Sequence, residues 1–182
     1  GLKTGAYSED DALSPISNYG LSKALGDYAA SLANKHYIFR ISWLLSNDAN
    51  SFLSQITSRL SQGESIEVVT DQTGIPTFSE DVIEAMEHIT QATPSFGIYN
   101  LSGKGNSTTW YEIALKVVEQ LKLRPELVRP VSFSEYSSTK DSVAKRPPNS
   151  YLDCSKLEKT GFQNSQTWNR RLSDLVDQLV VG

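Results

Sequence analysis

Tyr19 and Lys23 lie four residues apart in the segment SPISNYGLSKALGDY, residues 14–28. On a helix, side chains at positions i and i+4 share one face, so both can point into the same cleft. A nearby ammonium favours the phenolate form of a tyrosine. Such a tyrosine can protonate a carbonyl oxygen while a nicotinamide cofactor delivers hydride to the carbon. The same spacing also arises by chance on helices, and the pair alone does not establish catalysis.

The elements that must position this pair alternate between helix and strand. Apolar residues at three- and four-residue spacing predict an amphipathic helix over residues 17–33. Apolar runs predict buried strands at 37–45, 65–69 and 96–101. Further helices are predicted over 51–61, over 79–90 with Ser79 as its cap, over 110–121 with a Thr109/Glu112 capping box, and over 168–180. This alternation predicts an α/β fold, with helices on both faces of a largely parallel sheet.

Composition excludes several classes of function. A net charge of −4 and a pI near 5.2 give no support for nucleic acid or an anionic membrane as a partner. Apolar runs are all shorter than a membrane span, and residues 1–11 lack the apolar core of a signal peptide. With Cys154 as the one cysteine, and only two histidines, the sequence favours neither a disulfide nor a zinc site. We expect a soluble, cytoplasmic protein without a bound metal.

Six segments in the same order resemble the dTDP-4-dehydrorhamnose reductases, a branch of the extended short-chain dehydrogenases/reductases. The segment around Tyr19 is similar to the active-site helix of that family. The others are GAYSEDD (5–11), RISWLL (40–45), VVTDQTGIPT (68–77), GIYNLSGKGNSTTWYEIA (97–114) and KRPPNSYLDCSKL (145–157). The resemblance implies a Rossmann-like sheet with a small C-terminal substrate-binding cap. It also implies NADPH- or NADH-dependent reduction of dTDP-4-dehydro-L-rhamnose, a 4-keto nucleotide sugar, to dTDP-L-rhamnose.

The resemblance also implies roles for individual residues. Tyr19 would donate the proton to the C4 oxygen, and Lys23 would activate it and hold the nicotinamide ribose. Ser42 would contact the cofactor just past the carboxyl end of a strand, where doubly wound sheets bind ligands. Trp43 would line the sugar and nicotinamide pocket, although a core tryptophan under a loop is the alternative.

Two loops are expected to complete the substrate site. In DQTGIPT, residues 71–77, we expect Pro76 and Thr77 to form a pocket wall. Asp71 and Gln72 are interpreted as anchors of this loop. In the proline-rich segment 144–153, Arg146 and Asn149 are substrate-binding candidates, because an arginine can bind a diphosphate with two hydrogen bonds. A solvated arginine beside Lys145 is the alternative.

One departure from the family pattern limits the function of this chain. The Gly-x-x-Gly-x-x-Gly turn that holds the cofactor pyrophosphate is absent, and GKG at 103–105 has neither its spacing nor its context. We therefore interpret the chain as the C-terminal portion of a reductase, without the first part of the cofactor-binding half and inactive alone. Residues 1–100 are predicted to belong to the Rossmann-like domain and 101–182 mainly to the cap. An uncovered sheet edge should then pair with the missing half or drive self-association.

Two other interpretations remain open. The fold can serve as a non-catalytic binding module, as in the regulatory subunits of methionine adenosyltransferase, which resemble this branch. The intact Tyr19/Lys23 pair argues against that interpretation, and the missing cofactor turn argues for it. The second is a sugar epimerase or dehydratase. The combination of DQTGIPT and RPPNSYLD fits these enzymes less well than it fits the dTDP-4-dehydrorhamnose reductases.

Overall fold

A computed structural model describes residues 1–139 and 143–181, the last of them without its side chain. The helices in these residues are α1 (Asn18–Ser31), α2 (Phe52–Ser61), α3 (Ser79–Ala92), α4 (Trp110–Gln120), α5 (Phe133–Ser138), α6 (Ser155–Glu158) and α7 (Trp168–Val181). The strands are β1 (Tyr37–Ile41), β2 (Leu44–Leu45), β3 (Ile66–Val69), β4 (Thr73–Gly74), β5 (Thr77–Phe78), β6 (Gly97–Leu101), β7 (Thr108–Thr109) and β8 (Val128–Val131). None of the described helices is both long and apolar enough to cross a membrane.

Strand pairing in the described residues is mainly parallel. β1 pairs with β6, β2 with β5 and β3 with β8, all in parallel, whereas the short strands β4 and β7 are antiparallel. Parallel neighbours require crossover connections, and helices such as α2 and α3 lie in the connecting segments. The predicted α/β class with a largely parallel sheet is therefore confirmed.

Polar side chains cap several of the described helices, among them α4 as the sequence predicts. The Ser17 hydroxyl accepts the Gly20 N–H at 3.1 Å, and α4 opens with the Thr109/Glu112 capping box. The prediction for α3 was wrong by one residue, because Ser79 is the first residue of the helix rather than its cap. The cap is Phe78, whose backbone N–H donates to Asp81 Oδ2 at 2.9 Å. A carboxylate three residues into the helix thus replaces the serine hydroxyl.

The capping box of α4 gives a pH-dependent contribution to stability. Hydrogen bonds from the Thr108 hydroxyl and then the Thr109 amide hold the pKa of the Glu112 carboxyl below its usual value of 4.5. A carboxyl whose pKa is lower in the folded than in the unfolded protein stabilises the fold. Its contribution is complete above the unfolded-state pKa and is lost as the pH falls through the folded-state pKa. In urea unfolding, we expect the free energy of wild type to decline more steeply below pH 4.5 than that of Glu112→Gln. Parallel curves would contradict the assignment.

The predicted strand over residues 37–45 is interrupted, which corrects the sequence-based expectation. β1 ends at Ile41, β2 begins at Leu44, and Trp43 between them has a φ of +49°. Hydrogen bonds to a neighbouring segment accompany the break: the Ser42 hydroxyl donates to the Ile75 carbonyl, and the Thr77 hydroxyl donates to the Ser42 carbonyl, both at 2.7 Å. The apolar run continues through this site, so the sequence pattern gives no sign of it.

Buried apolar side chains form two clusters. The larger, under α2, α4 and α7, contains Leu45, Leu53, Ile56, Leu60, Ile66, Val68, Ile75, Phe78, Ile113, Ala114, Val117, Val118, Leu127, Val128, Trp168, Leu172, Leu175 and Val176. The smaller, between β6, α3 and α6, contains Ala85, Ile89, Tyr99, Leu101, Leu157 and Phe162. Both clusters take side chains from either side of residue 100, and the division into 1–100 and 101–182 stays a prediction.

A buried ion-pair network joins α7 to α3. The Arg171 guanidinium donates to Asp81 Oδ1 at 2.7 Å and to Glu84 Oε1 at 2.6 Å. The Asp81 side chain is fully buried and that of Arg171 is 9% exposed. Asn164 also donates to Asp81 Oδ1, at 3.0 Å. Because Asp81 caps α3 as well, one carboxylate fixes the start of that helix and the position of α7.

One face of the molecule is uncovered. α1 has no buried residue, and together with its C-cap residue Leu32 it exposes five large apolar or aromatic side chains by 48–70%: Tyr19, Leu21, Leu25, Tyr28 and Leu32. An ion pair of 2.7 Å between Asp27 and Arg40 ties the helix to β1. Within the described residues β1 pairs with β6 alone, so its other edge is open. An amphipathic helix beside an open strand is typical of a surface that another polypeptide covers.

Candidate active site

The Tyr19/Lys23 pair lies on the first two turns of α1. The Lys23 ammonium is 5.4 Å from the centre of the Tyr19 ring, which agrees with the shared helix face that the spacing predicts. Tyr19 is 70% exposed. Gly20 packs against Pro15, since a Cβ at Gly20 would lie 3.3 Å from the Pro15 Cβ. The proline thus fills the space beside this glycine, while the phenol remains open to a ligand.

Ser42, Trp43 and residues 74–77 converge at the carboxyl end of β1. The side chains of Ser42 and Thr77 are buried, and both hydroxyls donate to backbone carbonyls. The Thr77 N–H also donates to the Trp43 carbonyl at 3.2 Å. Pro76 is buried, and its carbonyl accepts the Gly103 N–H at 3.0 Å. The structure therefore brings together four residues that the sequence nominated, and two of them use their polar groups to shape the loop.

Trp43 is half-buried and stacks on Trp110, with ring centres 4.2 Å apart and planes inclined by 23°. Phe52 contacts the Trp110 ring edge-on at 4.6 Å. Sequence reasoning assigned Trp110 only to the apolar face of a helix. Its position in the sequence could have indicated a place at the site. Trp110 is the first residue of a capped helix that follows a strand, and parallel sheets bind ligands close to such positions.

Asp71 anchors its loop as predicted, since both of its carboxylate oxygens lie 2.9 Å from the Phe133 N–H at the start of α5. Gln72 is only 3% exposed, and its Nε2 has no hydrogen-bond partner in the described part of the chain. Gln72 was interpreted as an anchor through backbone hydrogen bonds, but its side-chain nitrogen makes no such bond to the described residues.

The proline-rich segment lies beside β4. The Thr73 N–H donates to the Pro148 carbonyl, and the Ser150 N–H donates to the Thr73 carbonyl, both at 2.8 Å. Asn149 gives both of its amide hydrogens to the protein, to the Lys3 carbonyl at 2.7 Å and the Gly5 carbonyl at 2.8 Å. Arg146 is exposed and forms no ion pair with any described residue. Arg146 thus retains its donors for an anion, whereas Asn149 fixes the N-terminal segment.

Two groups of nominated residues are not joined directly. Among the described residues, no hydrogen bond or ring contact links Tyr19 or Lys23 to Trp43, Pro76 or Arg146. α1 reaches the sheet through Asp27 and Arg40 instead. Tyr19 and Lys23 therefore form one part of the candidate site, and the other nominated residues form a second part with no contact of these kinds to the first among the described residues.

The glycine turn at 103–105 has a packing role. A Cβ at Gly103 would lie 2.5 Å from the Pro76 carbonyl oxygen, and one at Gly105 would lie 2.7 Å from the Trp168 ring. The Trp168 indole also donates to the Asn106 carbonyl at 3.0 Å. These contacts explain both glycines without a bound phosphate. In the adjoining pocket of about 550 Å³, burial raises the pKa of the Cys154 thiol, which makes it a poor nucleophile.

The chain is similar to known proteins of one family. The family model for the RmlD substrate binding domain matches residues 1–181. A dTDP-4-dehydrorhamnose reductase of Sinorhizobium fredii is 33% identical over 191 residues, which cover all of this chain and 63% of that protein. The crystal structure of a dTDP-4-dehydrorhamnose reductase ortholog from Clostridium acetobutylicum has a TM-score of 0.85 at 27% identity, covering 99% of this chain and 62% of that one.

The structure of a Bacillus anthracis dTDP-4-dehydrorhamnose reductase in complex with NADP has a TM-score of 0.80 at 29% identity. It covers 97% of this chain and 59% of that one. The chain thus spans about three fifths of the length of the relatives it matches. With a model match over 181 residues and a relative aligned along the whole chain, the protein belongs to the RmlD substrate binding domain family.

Proposed function

We propose that this chain supplies the proton-transfer pair and the sugar-nucleotide side of an NAD(P)H-dependent reductase, which converts dTDP-4-dehydro-L-rhamnose to dTDP-L-rhamnose. The observation that carries the proposal is the Lys23 ammonium 5.4 Å from the Tyr19 ring centre, on an exposed helix face. A binding module would not require this pair. Family membership and the reductases among its relatives support the same reaction.

The chain's residues fit the nicotinamide end of a dinucleotide cofactor but not its pyrophosphate. Tyr19 and Lys23 are open to a ligand, whereas the glycine turn at 103–105 is filled by Trp168 and the Pro76 carbonyl. When bound, NADPH or NADH supplies a hydride to the C4 carbon of the sugar. Tyr19 donates its hydroxyl proton to the C4 oxygen, so the ketone becomes an alcohol. Lys23 stabilises the resulting phenolate and would hold the nicotinamide ribose, and Ser42 would lie on the cofactor side.

Substrate binding in this proposal uses the other part of the site. Trp43, Pro76 and Thr77 form the wall beside the sugar, with Thr77 acting through the shape of the loop. Arg146 binds the diphosphate, because it is exposed and forms no ion pair in the described part of the chain. Asn149 contributes by holding its loop against the N-terminal segment.

Calorimetric titration of NADPH into the intact chain tests the cofactor assignment, with dTDP as a second ligand. We expect dTDP to bind and NADPH to bind weakly or not at all, because the chain lacks the glycine turn for the pyrophosphate. Micromolar NADPH binding would contradict this division of the site. Failure of dTDP to bind would contradict the nucleotide-sugar assignment and favour the non-catalytic module.

We expect the isolated chain to self-associate through α1 and the open edge of β1. Leu25→Lys should shift the protein to monomers in light scattering, because Leu25 is 59% exposed on the α1 surface. Met86→Lys is the matched control, since Met86 is 55% exposed on α3. A monomeric wild type, or an equal response of both variants, would contradict the assignment.

A further inference from the structure

Lys23 and Asp27 are four residues apart on α1, so their side chains share one face of the helix. A lysine and an aspartate at this spacing are neighbours and attract each other. In residues 1–139 and 143–181, however, the Asp27 carboxylate pairs with Arg40 of β1, and Lys23 forms no ion pair with any of these residues. The Lys23 ammonium lies beside Tyr19 instead, 5.4 Å from the centre of its ring.

The ion pair between Arg40 and Asp27 is close and partly shielded from solvent. Arg40 Nε donates to Asp27 Oδ2 at 2.7 Å, and the two side chains are 19% and 21% exposed. Salt and water screen a partly buried pair less than an exposed one. On α1, Lys23 is the only charged residue three or four positions from Asp27. Asp27 thus has two cations within its surroundings, Arg40 and Lys23, and it pairs with Arg40.

Arg40 is held in place independently of α1. Its Nη1 donates to the Glu9 backbone carbonyl at 3.1 Å. The Glu9 carboxylate accepts the Asn100 N–H at 2.7 Å, and Asn100 of β6 is the register partner of Arg40. Arg40 therefore meets the backbone of Glu9, and Asp27 supplies the one carboxylate that pairs with it in the described part of the chain. The sheet and the N-terminal segment thus place the guanidinium where α1 brings Asp27.

We propose that Arg40 is a positioning residue for Lys23: it occupies the Asp27 carboxylate, which otherwise pairs with Lys23 and draws the ammonium away from Tyr19. The inference rests on the proposed function, in which Lys23 acts on Tyr19. Tyr19 lies one helical turn before Lys23 and Asp27 lies one turn after it. The ammonium therefore moves away from the phenol when it pairs with Asp27. The ion pair that attaches α1 to β1 also keeps Lys23 available.

This role predicts unequal effects from the two halves of one ion pair. Arg40→Met leaves the Asp27 carboxylate free to hold Lys23. We expect kcat to fall about tenfold, because a charged hydrogen bond to a carboxylate that is only 21% exposed favours the paired state by about that factor. Asp27→Asn removes the competing charge, so kcat should stay near the wild-type value. A pair that only attached α1 to β1 would lose its function equally in both variants.

Two further variants separate positioning from folding. The double variant Asp27→Asn/Arg40→Met lacks the ion pair, as Arg40→Met does, but it retains no carboxylate at position 27 to hold Lys23. We expect it to recover the kcat that Arg40→Met loses. Arg40→Lys keeps a cation for Asp27 and should retain most of the wild-type kcat.

Turnover is followed as NADPH oxidation with dTDP-4-dehydro-L-rhamnose. The chain is mixed with the part of the Sinorhizobium fredii reductase that it does not match. Arg59→Met is the matched control, because Arg59 Nε also donates to a carboxylate, that of Glu64, at 2.8 Å, but on α2. This control should leave kcat unchanged.

Nuclear magnetic resonance of the chain with ¹⁵N-labelled lysine tests the exchange of partners without turnover. The Lys23→Gln variant assigns the Lys23 ammonium signal. We expect this signal to shift in Arg40→Met and to return to its wild-type position in the double variant. An unmoved signal in Arg40→Met, or equal losses of kcat in Arg40→Met and the double variant, would overturn the inference alone. An inactive wild-type mixture would count against the proposed function, and the Lys23 signal would then decide the exchange of partners by itself.

Discussion

Tyr19→Phe is expected to lower kcat for dTDP-4-dehydro-L-rhamnose reduction by about 10²- to 10⁴-fold, the usual contribution of a positioned general acid. Phenylalanine keeps the ring beside Lys23 and removes only the proton donor, so KM should change little. The assay follows NADPH oxidation in a mixture of this chain and a second polypeptide. That polypeptide is the part of the Sinorhizobium fredii reductase that this chain does not match.

Tyr28→Phe is the matched control for this prediction. Tyr28 is also on α1 and is 67% exposed, but it lies outside the proposed proton-transfer pair. We expect this variant to retain the wild-type kcat. Wild-type turnover by Tyr19→Phe would remove the catalytic assignment of Tyr19. Full activity in the absence of the second polypeptide would instead contradict the division of the cofactor site between two segments.

Asp81→Asn is expected to lower the free energy of unfolding by about 3 kcal/mol, at the lower end of the cost of breaking a buried ion pair. The substitution preserves the size of the side chain and an oxygen for the Phe78 N–H, but it removes the charge that faces Arg171. Glu84 still pairs with Arg171 at 2.6 Å, which is why the lower end applies. Urea unfolding followed by circular dichroism measures the loss.

The neighbouring pair Arg170–Asp174 provides the control. Its side chains are 68% and 37% exposed, and its atoms are 3.1 Å apart. Asp174→Asn should change the free energy of unfolding by less than about 0.5 kcal/mol, because exposed ion pairs contribute little. The double variant Asp81→Asn/Arg171→Met should not recover the loss, because it leaves the Glu84 carboxylate without the guanidinium that pairs with it at 2.6 Å. Equal effects of Asp81→Asn and Asp174→Asn would contradict the network.

Local structure could be predicted where the residues that stabilise it lie close together in the sequence. The Thr109/Glu112 capping box and the shared face of Tyr19 and Lys23 each depend on residues within four positions of one another. Helix periodicity and capping act at this range, so the longer helices and their order followed from the sequence. The alternation of those elements was enough to predict a largely parallel sheet, of which the pairing of β1 with β6 is an example.

Other features depended on residues far apart in the chain. The break at Trp43 depends on Ile75 and Thr77, more than thirty positions later. The buried carboxylate of Asp81 is paired with Arg171, ninety positions later. Trp110 appeared in the sequence as one apolar position on a helix, and only its stacking on Trp43 shows its place at the site.

The sequence by itself determined the fold class, the helix that carries Tyr19 and Lys23, and the anchoring role of Asp71. Only the tertiary structure decided that the hydroxyls of Ser42 and Thr77 serve the loop, and that Asn149 holds the N-terminal segment. It also decided that the glycines at 103 and 105 make room for Trp168 and the Pro76 carbonyl. The physical reason is that a side chain's type fixes which bonds it can form, whereas long-range packing selects the partner that receives them.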